Sequence, residues 1–207
     1  MKKKLLSCII IILLFAGCAA QLQYLAKSRA ISSYKINSVA VLPFYTDLQA
    51  PGISETAGNV FIARLLKSAL YSSAVPPDRV KELMADEEFS SAVTRIKTSI
   101  ADTGMADPET AVWLCSELKA DALIACNITQ WSKSHTADND TFKIELDIRI
   151  AAKDGKTIWH GTDAESFTPS YNDWDVDRTR MPDDKAFDTA LGWVIDKVLA
   201  NLPAQGK

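Results

Sequence analysis

The chain has 207 residues, 47% of them apolar and 24% charged, with a formal charge of −3 from 23 basic and 26 acidic residues. That balance excludes a disordered chain and a multi-span membrane protein, and it fits one globular domain with appendages. The acidic excess argues against a nucleic-acid partner, and two histidines leave little material for a His-based catalytic or metal site.

Met1-Lys2-Lys3-Lys4 opens the chain, an almost wholly apolar run follows from Leu5 to Ala16, and Gly17-Cys18-Ala19-Ala20 closes it. A basic patch, an apolar stretch and small residues at a cleavage point describe a secretory signal. The run falls short of the roughly 20 residues needed to cross a bilayer core. Phe15-Ala16-Gly17-Cys18 resembles the bacterial lipobox, which implies cleavage before Cys18 and acylation of its thiol and freed amine. Ala19 is not the aspartate that retains enteric lipoproteins at the inner membrane, so the resemblance implies the outer membrane. Loss of residues 1–17, with three lysines, leaves 190 residues and takes the formal charge from −3 to −6. The expected organisation is a lipoprotein signal over 1–17, an acylated tether over 18–37 and a single periplasmic domain over 38–203. Residues 19–37 would span on the order of 65 Å if fully extended, so the domain sits close to its membrane.

Val39-Ala40-Val41-Leu42-Pro43-Phe44 reads as a buried strand closed by a proline. From Ser54 to Tyr71, residues Ala57, Phe61, Ile62, Leu65, Leu66, Ala69 and Leu70 recur at helical spacing. Ser72–Val75 predicts a short strand, and Pro77-Asp78 leads into a helix holding Val80, Leu83 and Met84. Residues 85–103 offer only Ile96 and Ile100 as a helical pair and are assigned no element. Asp107-Pro108-Glu109 starts a helix to Leu118, with an N-cap acid and a proline in the first turn.

A strand begins at Asp121 and runs to Trp131. Phe142, Ile144, Leu146, Ile148 and Ile150 then alternate with charged residues, the pattern of a half-buried strand. Asp154-Gly155 predicts a type I′ hairpin into a strand from Thr157 to Phe167. An acidic loop over 168–184 precedes a final helix carrying Phe187, Ala190, Leu191, Val194, Ile195, Val198 and Leu202, with Asp183 as its N-cap. The order β-α-β-α-α-β-β-β-α implies an α+β, two-layer fold: a mixed, mostly antiparallel sheet with helices packed on one face.

Four groups of residues suggest sites. Cys115 and Cys126 fall on apolar faces of a helix and the next strand, where they form either a disulfide or two buried thiols; no zinc set surrounds them. Asp173, Asp175 and Asp177 resemble the opening of a calcium loop, but Arg178 stands where an EF-hand needs glycine, so a solvated acidic loop is the preferred reading. His160, on the last strand, reads as a hydrogen-bonded or exposed residue. Tyr171 and Trp174, flanked by acids, are interface candidates, whereas Trp159 reads as core.

Val39 to Phe44, the helix from Ser54 to Leu70, Leu118-Lys119-Ala120-Asp121-Ala122-Leu123-Ile124 and the hairpin after them resemble, in that order, a group of small bacterial lipoproteins. The group includes the curli secretion channel subunit CsgG, the penicillin-binding-protein activator LpoB and the amino-terminal domain of TolB. The resemblance covers most of residues 38–202. No nucleophile elbow or Gly-rich phosphate loop is found, so the expectation is a non-catalytic, cofactor-free protein acting by contact with an envelope protein, through the free sheet edge and the loop from Ser170 to Asp184. Alternatives are an oligomeric subunit of a CsgG-like export apparatus and a periplasmic metal-binding protein.

Overall fold

A computed structural model describes residues 34–49, 51–136, 139–169 and 181–202. Among these residues, five helices and an open five-stranded mixed sheet make an α+β fold. The strands are β1 (Ser38–Val41), β2 (Ser73–Val75), β3 (Ala122–His135), β4 (Asp140–Ala152) and β5 (Thr157–Phe167). The helices are α1 (Ile53–Ser68), α2 (Pro77–Leu83), α3 (Glu87–Thr103), α4 (Pro108–Leu118) and α5 (Asp183–Asn201).

Each boundary has a local cause. α1 follows Gly52 at φ 80° and stops at Ala69, which turns left-handed at φ 51°, ahead of the expected end at Tyr71. α2 has Pro77 in its first turn, where the missing N–H has no intrahelical partner to lose. Asp107 caps α4, its carboxylate accepting from the Thr110 amide at 3.0 Å. At α5 the cap is Pro182, and Asp183 is the first helical residue rather than the cap.

α3 is the helix absent from the expected order. Asp86 caps it by accepting from the Phe89 amide at 3.0 Å, and Phe89, Ala92, Val93, Ile96 and Ile100 form its buried stripe. Of the remaining positions, six are Ser or Thr, weak helix formers, while Glu87, Glu88, Arg95, Lys97 and Ala101 favour the helix. Packing supplies what propensity does not: Phe89 and Ile96 close over α4, where Phe89 meets Trp113 with ring centroids 5.7 Å apart.

The strand order is β2-β1-β3-β4-β5, with β1 parallel to both neighbours and β3, β4 and β5 antiparallel. The chain thus crosses from β1 to β2 in one direction and from β2 past β1 to β3 in the other. Crossovers of the usual right hand in opposite directions put their helices on opposite faces. Accordingly α1 and α5 cover Val39, Val41, Ile124, Cys126, Ile128 and the Ile144–Ile150 series. On the other face α2, α3 and α4 cover Ala40, Leu42, Leu123, Ala125 and Ala151. Helices on one face only, as expected, describe the hairpin-tip part of β3, β4 and β5; β1 and the adjoining parts of β3 and β4 are covered on both. There the continuous apolar run of β1 is the sequence trace of a strand buried on both sides.

The β4–β5 turn also differs from expectation. Gly155 alone has a positive φ, at 80°, and its amide donates to the Ala152 carbonyl at 2.8 Å while the Ala152 amide donates to Lys156 O at 2.9 Å. This is a three-residue loop ending in a left-handed glycine, not a type I′ pair. An irregularity follows at once: Ala151 faces Thr157, Ile150 faces Trp159, and Ile158 is the extra residue.

Candidate functional site

Cys18, Tyr171, Trp174, Asp173, Asp175 and Asp177 lie outside the described residues. Cys115 and Cys126 lie inside, and the structure separates them. Cys115 points from α4 into one core cluster, and Cys126 points from β3 into the cluster on the opposite face of the sheet. Both are free and buried. The disulfide is overturned by strand alternation: Leu123 and Ala125 face α4, so Cys126 cannot. Burial pushes the Cys115 thiol up to about 12 and Cys126 well above its ordinary value. Both behave as small apolar residues.

The domain has two distinct poles. At one, the chain enters: Tyr34 Oη donates to Asp154 Oδ2 at 2.6 Å, and Asp121 accepts from the amides of Asn37 and Ser38 at 2.9 and 3.0 Å. At the other lie the β3–β4 hairpin tip, the end of β5 and the start of α5. Asp140 is buried there, with Lys133 Nζ at 2.8 Å and His135 Nδ1 at 2.6 Å. Lys133 also reaches Asp183, the first residue of α5, at 2.7 Å. Phe187 stacks on Trp131 at 4.8 Å and meets Phe142 edge-on at 4.9 Å. These contacts fix the start of α5 against the β3–β4 hairpin. Trp159 is core, 7% exposed, as expected.

One aromatic at this pole escaped the sequence reading. Trp193 of α5 meets Phe167, the last residue of β5, edge-on at 5.2 Å and remains 47% exposed. Its position between apolar-face residues Ala190 and Val194 hides it in the amphipathic pattern. Half-exposed tryptophans are favoured anchors of protein interfaces. β5 itself is an edge strand.

A second cluster sits beyond the carboxyl end of β1, where strand order reverses and open α/β sheets commonly hold ligands. Pro43 ends β1, and Tyr45 bridges to Asn127 of β3. Lys97 of α3 stands 5.9 Å over the Tyr45 ring. On β4, Arg149 Nη1 donates to Ile100 O at 2.5 Å, placing a cation on the C-terminus of α3. Asp147 lies 3.4 Å from Arg149 and 3.0 Å from His160 Nε2, a contact of ion-pair length with an angle poor for hydrogen bonding.

Burial pushes the Asp147 carboxyl up, but the contact with His160 and the charge of Arg149 outweigh it and hold it below its ordinary value. Burial raises the Tyr45 phenol, helped by Asp147, and lowers Lys97. The cluster thus offers two cations, an imidazole and a phenol around a carboxylate, groups suited to gripping a polar partner. The signal for it was present: register across the hairpin sets Arg149 opposite His160, and Asp147 one step away.

A carboxylate depressed in the folded state stabilises above its unfolded pKa, about 3.9, and loses that contribution as pH falls through the lower folded value. Asp147→Asn is therefore expected to lower stability at pH 7 by about 1–2 kcal/mol, with the deficit closing below about pH 4. Urea unfolding at a series of pH values checks this; a deficit independent of pH would show that Asp147 contributes only packing.

No family model matches the chain, and no curated protein matches it. Among solved structures, the PelC dodecamer from Paraburkholderia phytofirmans is similar at 12% identity and TM-score 0.50, covering 89% of this chain and 94% of that one. That likeness shows the fold. Lipoprotein GNA1162 from Neisseria meningitidis aligns at 15% identity and TM-score 0.45, over 79% of this chain and 95% of that one. The LpoB C-terminal domain from Salmonella enterica aligns at 13% identity and TM-score 0.29, over 67% and 94%.

Proposed function

We propose that the protein is a lipid-anchored lipoprotein of the outer membrane, facing the periplasm, that works without catalysis by binding another envelope protein. The reading rests on the signal ending in Phe15-Ala16-Gly17-Cys18 ahead of this domain. Supporting it, Tyr34, the first described residue, is held at one pole, while Trp193 and the start of α5 lie at the other. Acylation confines the domain to a surface, which raises its effective concentration towards membrane-bound partners. A grouping with CsgG, LpoB and the amino-terminal domain of TolB belongs to the same proposal. No described helix is long and apolar enough to cross a membrane.

A photo-crosslinking side chain placed singly at Tyr171, Trp174 and Trp193 in intact envelopes should yield one common heterologous adduct, identified by mass spectrometry. The same probe at Arg79 on α2, an exposed residue of the other face, should not. Adducts equally abundant at Arg79, or absent at all three aromatics, would count against this surface.

The second reading is an assembly of identical subunits within an export apparatus, favoured by the PelC-like fold, since that PelC is a dodecamer. Adducts joining two copies of this chain, with a defined particle larger than a trimer in detergent, would select it.

A further inference from the structure

The charges of the mature chain are segregated. From Cys18 to Thr46 there are Lys27, Arg29 and Lys35 and no acidic residue, although the mature chain as a whole is acidic. Where that stretch meets the domain, Tyr34 is held to Asp154 in the β4–β5 turn. Around this point Lys35, Lys119, Lys153 and Lys156 are all exposed. Two acids among them are engaged internally. Asp121 accepts from the Asn37 and Ser38 backbone and the Ser38 hydroxyl, and Asp154 binds Tyr34 and Lys156. The exposed acids near this end are Glu117 on the last turn of α4, Asp102 on the last turn of α3, and Glu109 on the first turn of α4, next to the Pro108 that packs on Gly155.

Between the outer side of α4 and this turn runs a shallow groove of about 520 Å³, lined by Val112, Ser116, Lys119, Lys153 and Asp154 among others. Val112 is 55% exposed, so the rim combines ammonium groups with apolar surface. Lys119 itself is left-handed, at φ 51°, the helix-ending position where glycine is favoured. The strained backbone is held with a cation on it.

We propose that this pole is a docking surface for the membrane, its lysines meeting the phosphate headgroups of anionic lipids in the leaflet that holds the acyl anchor. The inference rests on the lipid-anchored reading above, which supplies the nearby membrane. Sixteen residues, Cys18 to Ser33, precede the described domain. They can reach at most about 55 Å, so this pole is held within reach of the headgroups. Lysines near an anionic surface each strengthen binding about fivefold, an attraction confined to roughly a Debye length. Docking in this sense turns Trp193, the hairpin tip and the acidic first turn of α5 (Asp183, Asp184) away from the bilayer.

The test uses the mature chain from residue 18 with Cys18→Ser, made without leader or acyl groups, so that any binding comes from the protein surface. It is sedimented with phosphatidylcholine vesicles containing about 30 mol% phosphatidylglycerol and with pure phosphatidylcholine vesicles. Binding is expected on the anionic vesicles alone, falling when salt is raised from about 0.05 M to about 0.5 M. Lys119→Glu with Lys153→Glu should reduce it by more than about tenfold, and the corresponding Gln pair by less. Lys185→Glu at the opposite pole should leave it unchanged. These side chains are exposed, and an unaltered circular dichroism spectrum confirms folding in each variant.

Equal binding to neutral vesicles, indifference to Lys119 and Lys153, or no binding at low salt would overturn the proposal. Such a failure leaves the acyl anchor untouched. A wild-type protein lacking fatty acid would instead remove the anchored reading, whatever the vesicles show.

Discussion

Gly155→Ala should destabilise the domain by about 2–4 kcal/mol. Two costs combine at this residue. Its φ of 80° costs an L side chain about 1 kcal/mol relative to glycine. In addition, a Cβ there would lie 2.5 Å from Pro108 Cα and 3.0 Å from Pro108 N, against backbone that cannot rotate aside. Overpacking of that kind costs about 1–3 kcal/mol. Gly52→Ala separates the two terms, because Gly52 has the same φ of 80° with no atom within 4 Å of a built Cβ. It should lose only about 1 kcal/mol. Urea midpoints at unchanged slope measure both variants. Equal losses would mean that the β4–β5 turn yields and that its contact with the start of α4 is not tight. The contact matters because Thr157 Oγ1 also donates to Gly104 O at 2.8 Å, locking the same turn to the end of α3.

Cys18→Ser in the full-length precursor should abolish acylation, leave residues 1–17 attached and deplete the protein from the outer-membrane fraction by more than about tenfold. Each acyl chain contributes about 0.8 kcal/mol per buried methylene, and a single chain holds a protein only reversibly. The three chains of the proposed anchor would hold the protein in a way that the exposed lysines cannot replace. The measurement is intact mass with fatty-acid labelling on fractionated envelopes. A Cys18→Ser protein found in the outer membrane in undiminished amount, with its leader removed, would refute the anchoring mechanism.

What could be read in advance follows from the range of each interaction. The alternation from Phe142 to Ile150 identifies β4, and the Asp107-Pro108 start identifies α4, because pleat and cap are both set within a few residues. The signal for α3 is present in Phe89, Ala92, Val93, Ile96 and Ile100 at helical spacing behind the Asp86 cap, but six Ser and Thr residues among them weaken it, and contact with Trp113 adds to its stability. The turn at Gly155 was assigned the wrong type. The register of Arg149 with His160 nonetheless agrees with a two-residue turn, since the extra residue Ile158 restores the count. Of the candidate site, His160 was noticed and set aside; its partners Asp147 and Arg149 sit on another strand, and Lys97 comes from the helix that was not seen.

By itself, the sequence carries the lipobox-like Phe15-Ala16-Gly17-Cys18 motif on which the proposed anchor rests, the element types wherever hydrophobic period and caps agree, and the α+β class. These depend on contacts between residues near one another in the chain. Tertiary structure alone decided that helices cover both faces of the parallel half, because opposite crossovers from β1 and β2 require it. It likewise put Cys115 and Cys126 on opposite sides of the sheet, and it gathered the lysines at the tether pole and the aromatics at the other. Such placements depend on which strands lie side by side, and side-by-side order is a property of the folded chain rather than of any segment within it.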